Sequence, residues 1–327
     1  MLDSFSKVLV SGGLGFIGRH LTDALHSLGK EVSVLDSSRT AVTHSVPPGV
    51  KVYMADIRDS NEVAKAAEGA DLVFHAAANP NGTLSIIQPR LDFELNAIGT
   101  FSFVESLLTS GIRKLVYLSS ASVYGKPQDF PMSEDHPTRP FVPYGASKLC
   151  GEHVCMALHH ACGLPVVAAR PFCVYGPGEN PNNSMVEVGR FLRWHLNEMP
   201  IQVVGDIDRK TRDFVHVSDL VAGLMILADR GQEEEVYNIG SGTETSMRQL
   251  VKMIGAATSR EPSLNVISDI EDDTYRLVAD ISKIETLGYR PVMSLPDGVR
   301  ELAADLGERP ELPGTPTIFV RGQHAEF

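Results

Sequence analysis

Apolar residues along this 327-residue chain come in short continuous runs rather than in strict alternation with polar ones. The runs at 8–10, 32–35, 50–53, 72–75, 115–118 and 166–169 each read as a buried strand. The stretches between them are amphipathic and long enough for crossover helices. Continuous apolar strands separated by helices predict a parallel sheet covered on both faces. Residues 1 to about 175 therefore read as one doubly wound α/β layer. After Pro177 the pattern loosens. A polar loop at 178–183 leads to a helix over 184–197, then short strands at 201–204, 214–217 and 236–239. Helices near 218–230, 246–258 and 295–305 complete a smaller α/β lobe over 176–308, with some chain crossing between the lobes. The stretch 309–327 carries three prolines and little periodicity, and reads as a peripheral tail.

Bulk properties narrow the function classes. Hydrophobic residues make up 43% and charged residues 21%, the balance of a soluble globular chain. The formal net charge is −12 and Lys and Arg form no basic stripe, which argues against a nucleic-acid partner. No apolar stretch approaches the ~18 residues of a membrane span. Residues 1–7 are polar and run straight into the first strand, so a cytoplasmic location is expected. Cys150, Cys155, Cys162 and Cys173 fit neither a disulfide ladder nor a metal knuckle, and read as free thiols. Cys155 and His159 are four apart, but the other two ligands that a metal site would need have no obvious source.

Two local patterns carry chemistry. The first strand runs into Gly12-Gly13-Leu14-Gly15-Phe16-Ile17-Gly18, and a helix follows. Glycines there let the backbone turn tightly and approach a pyrophosphate at the positive end of the helix. Asp36, at the end of the next strand, would accept hydrogen bonds from the adenosine ribose and repel a 2′-phosphate, which favours NAD over NADP. Arg39 nearby blunts that preference. The second pattern is Tyr144-Gly145-Ala146-Ser147-Lys148, which puts a phenol and an ammonium on one helix face. A phenol is a poor base at neutral pH, and an adjacent cation lowers the cost of the phenolate. Upstream, the strand at 114–119 ends in Ser119-Ser120-Ala121-Ser122-Val123-Tyr124-Gly125, whose hydroxyls could hold a substrate oxygen.

Together with His75-Ala76-Ala77-Ala78, Asn96, Arg170-Pro171-Phe172, Val174-Tyr175-Gly176-Pro177-Gly178, Arg212-Asp213-Phe214-Val215-His216-Val217 and Asp280-Ile281-Ser282-Lys283, these patterns resemble the extended short-chain dehydrogenase/reductases, the NAD-dependent epimerase/dehydratases. The resemblance implies a Rossmann-like doubly wound domain over 1–175 with a substrate-binding lobe behind it. It implies that Tyr144 transfers a proton, that Lys148 lowers its pKa and binds the nicotinamide ribose, and that Ser120 and Ser122 face the substrate. Gly12, Gly15, Phe16, Ile17 and Gly18 would cradle the NAD pyrophosphate, Asp36 the ribose, and Asp56 with Ile57 the adenine. Ala76, Ala77 and Asn96 would line the cofactor groove. Asn183, Arg212 and Arg276 would hold a nucleotide-diphosphate sugar, and two copies would pair through the helices near 92–110 and 144–162.

Within that family, the dehydratases place an acid and a base where this chain has Ala121 and Ser122, and the decarboxylases place a Glu where it has Ser122. Removing a sugar hydroxyl needs both an acid and a base. The run before Val123-Tyr124-Gly125 resembles the 4-epimerases instead, which implies transient oxidation at C4 of a UDP-hexose with NAD regenerated; the alternatives are a nucleotide-sugar dehydratase, reductase or decarboxylase of the same family, and a non-catalytic dinucleotide-binding sensor. One position departs from the family: Cys173 stands where an Asn that contacts the sugar diphosphate is common, and a thiol is a weak donor.

Overall fold

The structure, a computed structural model, describes residues 2–37, 46–79, 82–182, 186–267 and 276–314. Arg39 and Asn183 lie outside the described residues. The chain opens with β1 (Lys7–Ser11), α1 (Phe16–Ser27), β2 (Glu31–Asp36), β3 (Lys51–Met54), α2 (Ser60–Ala66) and β4 (Leu72–His75). Two short helices follow, α3 (Gly82–Ile87) and α4 (Pro89–Phe93). A π-helical segment (Glu94–Ile98) joins α4 to α5 (Gly99–Leu107). Then come β5 (Lys114–Leu118), a 3-10 turn (Ala121–Val123), the long α6 (Pro143–Cys162), β6 (Val166–Pro171) and β7 (Cys173–Tyr175). The remainder comprises α7 (Glu187–Leu196), β8 (Ile201–Val204), β9 (Thr211–His216), α8 (Val217–Arg230), β10 (Val236–Ile239), β11 (Glu244–Ser246) and α9 (Met247–Thr258). Last are β12 (Leu264–Ile267), β13 (Arg276–Leu277), α10 (Ser282–Glu285) and α11 (Leu295–Leu306).

The main sheet is parallel throughout, in the order β10-β6-β5-β4-β1-β2-β3. All six strands expected before residue 175 are in it. Its strands are apolar on both faces because helices cover both. Val8, Val10, Leu72, Phe74, Val116 and Val167 meet α1 and α8 on one side. Leu9, Val73, Leu115, Tyr117 and Val166 meet α2, α5 and α6 on the other. Each fully buried Val or Leu of these strands contributes about 1.5–3 kcal/mol of transfer free energy.

The seventh strand is β10, which pairs with β6 from Val236↔Ala168 to Ile239↔Pro171. The chain therefore leaves the sheet at Pro171 and returns more than sixty residues later. Val217, expected to close a strand, instead opens α8, whose Leu220, Leu224 and Leu227 pack into the first core. The smaller lobe gathers around Tyr175, Phe191, Trp194, Phe214, Leu250 and Leu302. Its strands form a sheet β11-β9-β13 with β7 beside β9, and a separate pair β8-β12. The beginning of the expected tail is held down. Arg193 donates to the Glu311 carbonyl at 2.9 Å and the Asn197 amide to that of Pro310 at 2.8 Å. Residues 315–327 lie outside the description. Among the described residues no helix is long and apolar enough to cross a membrane, and no His, Cys, Asp and Glu cluster could hold a metal.

Candidate active site

Strand order reverses between β1 and β4, so their carboxyl ends open a crevice where the crossovers diverge. The glycine turn lies there. Gly12 has φ +73°, and a Cβ on it would come within 2.6 Å of the Ala77 nitrogen. A Cβ on Gly18 would sit 2.0 Å from the Gly12 oxygen, so α1 can start this close to β1 only without a side chain. Gly15 is the N-cap of α1, and no side chain caps that end. Phe16 and Ile17 open the helix. The result is a narrow cradle with uncapped backbone amides facing it, which suits a diphosphate. Asp36 ends β2 and accepts a hydrogen bond from the Leu14 nitrogen at 3.0 Å, tying the acid to the turn. The Asp56 carboxylate takes a bidentate pair from Arg58, both bonds at 2.8 Å. Ile57 is buried and packs against Gly99, where a Cβ would be 2.9 Å from its Cδ1.

Tyr144 and Lys148 stand one helical turn apart at the start of α6. Pro143 opens the helix, and the Ser85 hydroxyl accepts the Tyr144 N–H at 3.1 Å, which stands in for a cap. Gly145 lets the helix approach the 3-10 turn, since a Cβ there would lie 2.4 Å from the Ser122 oxygen. Ser120 caps that turn: its Oγ accepts the Ser122 N–H and lies 3.1 Å from the Ser122 Oγ. Ser120 is also the group that pulls the Tyr144 phenol down. Burial pushes this phenol up to about 12, with Ser120 pulling it down and the Asp92 carboxylate adding to the rise. Burial brings Lys148 down to about 8, and Cys155, Asp92 and Glu152 oppose the fall. Its Nζ lies 4.6 Å from the centre of the Tyr117 ring. In the chain alone it is thus Ser120, rather than Lys148, that lowers the Tyr144 phenol.

A model of the NAD-dependent epimerase/dehydratase family matches residues 8–240. The chain belongs to that family. It is 31% identical over 301 residues to the UDP-glucose 4-epimerase of Streptomyces lividans, covering 87% of this chain and 91% of that one. It is also 31% identical over 316 residues to the dTDP-glucose 4,6-dehydratase of Actinoplanes sp., covering 91% and 97%. The structure of the Thermus thermophilus UDP-glucose 4-epimerase in complex with NAD superposes with a TM-score of 0.84 at 30% identity, covering 91% of this chain and 98% of that one. The protein is therefore an enzyme of the nucleotide-sugar epimerase/dehydratase type.

The other residues expected to serve an epimerase/dehydratase site fall into two groups. Ala76 and Ala77 follow β4 and border the glycine turn, with the Ala76 N–H on the Ser11 carbonyl at 3.1 Å. Asn96 is fully buried inside the π-helical segment, a wide turn of the kind that marks functional sites. Arg212 and Arg276 belong to the smaller lobe and lie on adjacent strands, β9 and β13, where Thr211 pairs with Arg276 and Arg212 with Leu277. Arg212 is buried and lies 3.2 Å from Glu187, while Arg276 is exposed, bidentate to Glu244 at 2.7 and 2.8 Å, and stacked 4.0 Å over the Phe130 ring. Cys173 opens β7, and burial pushes its thiol well up, so it is neutral.

Sequence reasoning missed a buried polar chain that joins the two ends of the site. Ser11 Oγ lies 2.6 Å from His75 Nδ1, and His75 Nε2 lies 3.1 Å from Thr100 Oγ1. Thr100 gives its only proton to the Asn96 carbonyl at 2.7 Å. His75 must then donate through Nε2 and accept at Nδ1. Burial brings its pKa down to about 3, with Lys148 adding to the effect, so the ring is neutral. Asp92 and Ser147 continue the chain to α6. Neither carries a periodic or spacing signal.

Proposed function

We propose that the chain is a 4-epimerase of nucleotide-linked hexoses, UDP-hexoses foremost, that works with a retained NAD. The observation that carries this reading is the Ser120–Ser122 turn packed against the start of α6, where Tyr144 and Lys148 stand one helical turn apart, with Ala121 and Ser122 where a dehydratase would need an acid and a base. Gly12, Gly15, Phe16, Ile17 and Gly18 would hold the diphosphate of NAD. Asp36, Asp56, Ile57, Ala76, Ala77 and Asn96 would line the rest of its groove. When bound, NAD supplies a hydride acceptor and a positive ring.

The chain's own work is proton handling and orientation. Tyr144 Oη takes the proton of the C4 hydroxyl and later returns it. With its pKa at about 12, forming the phenolate at pH 7 costs about 7 kcal/mol, so every group that stabilises it lowers the barrier. Ser120 supplies one hydrogen bond, Ser122 holds the substrate hydroxyl with it, and Lys148 supplies charge. Arg212, with Arg276 and Asn183, would keep the diphosphate in place while the sugar turns about it. Residues 1–175 would then carry the cofactor and 176–308 the nucleotide sugar, with β10 returned to the first sheet. Pairing of two copies is supported by the exposed Phe93, Ile98 and Phe101 beside the exposed Cys150 and His153 of α6.

The test is to incubate the purified protein with UDP-, dTDP-, GDP- and CDP-hexoses and resolve the products by chromatography. Interconversion of C4 epimers with no net rise at 340 nm is expected, and Tyr144→Phe should lower kcat by about 10²–10⁴-fold. A stoichiometric rise at 340 nm, or a 4-keto-6-deoxy product, would replace the epimerase with an oxidase or a dehydratase.

A further inference from the structure

Asp92 is a carboxylate held by neutral donors. It is fully buried on α4, and among the described residues no Lys or Arg pairs with it within 4 Å. Its Oδ1 accepts from the Asn79 side-chain amide at 2.9 Å and from that of Asn96 at 3.1 Å. Its Oδ2 accepts from the Ser147 hydroxyl at 2.5 Å. Asn96 also donates to Ser147 Oγ at 3.1 Å, and its Oδ1 accepts the Asn79 N–H at 2.7 Å. Every donor around the carboxylate is thus committed, and one of them sits on α6 between Tyr144 and Lys148. A buried charge of this kind costs several kcal/mol unless hydrogen-bonded. Burial raises its pKa, against the pull of Ser147, Asn79 and Lys148.

We propose that Asp92 is a positioning residue for the Tyr144–Lys148 pair: through Ser147 it locks the first turn of α6 against the π-helical segment, and its charge holds the Lys148 ammonium in a dry site. The inference rests on the reading of Tyr144 and Lys148 as the proton-handling pair. The groups facing Lys148 leave this role to Asp92. From α6, Glu152 is already bidentate with Arg170 at 2.5 and 3.1 Å, and Cys155 is a thiol pushed up to about 12, hence neutral. From β5, Tyr117 offers its ring, and its hydroxyl donates to the Lys148 carbonyl at 3.1 Å. From β4, His75 is neutral. Asp92, whose hydrogen-bond donors are all neutral, is the remaining anion. Tyr144 faces Ser120 and the same carboxylate, so removing the charge moves both groups in one direction.

The experiment uses full-length protein with its retained NAD, wild type and Asp92→Asn, labelled with ¹⁵N at lysine Nζ. The Lys148 Nζ shift, assigned with Lys148→Met, is followed against pH. The Lys148 midpoint should fall from about 8, by about one unit in the variant. The alkaline limb of kcat/KM for the nucleotide sugar should move down by a similar amount, with KM nearly unchanged. A purely structural Asp92 would lower the melting temperature and the activity at all pH values alike, leaving both midpoints in place; that result overturns the proposal. If Asp92→Asn does not fold, Ser147→Ala carries the test, since it keeps the charge and cuts the link to α6. Its kcat should fall about tenfold, with the alkaline limb in place, and wild-type kcat would overturn the positioning role. The Nζ titration needs no turnover, so a chain that epimerises nothing would defeat the proposed function while leaving this inference to stand or fall by itself.

Discussion

Gly145→Ala isolates geometry from chemistry, because it adds one methyl group and changes no titrating atom. The new Cβ would lie 2.4 Å from the Ser122 oxygen and 2.9 Å from Pro140 Cβ. Ordinary contact begins near 3.4 Å, so α6 and the 3-10 turn must separate by about 1 Å. Tyr144 rides on the first of these elements and Ser120 and Ser122 on the second, so the hydroxyl grip and the phenol separate by the same amount. A misplacement of about 1 Å costs ~10²-fold in rate, equivalent to about 2.7 kcal/mol of barrier. Stability should change less. Overpacking costs about 1–3 kcal/mol, and replacing Gly by Ala inside a helix returns about 0.5–1 kcal/mol. The net loss of about 0–2.5 kcal/mol corresponds to a fall in Tm of only a few degrees. The assay is kcat for the C4 interconversion at 25 °C beside a thermal melt and the NAD content after gel filtration. Wild-type kcat in a folded, NAD-loaded variant would refute the argument that the approach of α6 to Ser122 sets the site. A collapse in Tm of more than ten degrees would show instead that the contact is structural.

Gly18→Ala should strip the protein of NAD while leaving most of it folded, because the added Cβ would fall 2.0 Å from the Gly12 oxygen and spoil the cradle; nucleotide released on denaturation and measured by chromatography reads it out, and full retention would count against the cradle. His75 gives a stability signature with a definite sign. Its folded pKa is about 3 against 6.5 unfolded, so the unfolded chain binds the extra proton. Stability due to this group is whole above pH 6.5 and is lost at about 1.4 kcal/mol per pH unit as pH falls towards 3. Urea unfolding between pH 6 and 4.5 should therefore show a shallower pH slope in His75→Gln than in the wild type, by close to one proton; equal slopes would mean that the histidine is charged when folded.

The chemistry-bearing positions were legible in the chain because they lie close together in sequence. The Gly12–Gly18 turn, the phenol and ammonium of Tyr144 and Lys148, and the hydroxyls before Val123 each declare themselves within seven residues. Asp56 and Arg276 were less legible: each finds an arginine or a glutamate partner, Arg58 and Glu244, that spacing alone did not choose. Asp92 and Ser147 were not legible at all. Their significance comes from a contact between α4, the π-helical segment and α6, elements separated by some fifty residues.

The sequence by itself determined the kinds of element and most of their order: period and run length follow from local backbone geometry, so buried strands and amphipathic helices are written residue by residue. Which strand closes the sheet was decided only in three dimensions, where residues 236–239 return to the edge beside β6 and part of the expected second lobe joins the first. The tertiary structure likewise decided the widened turn at Asn96 and the charge state of each buried group. Desolvation and hydrogen-bond partners depend on what packs against a side chain, and packing is a property of the whole fold.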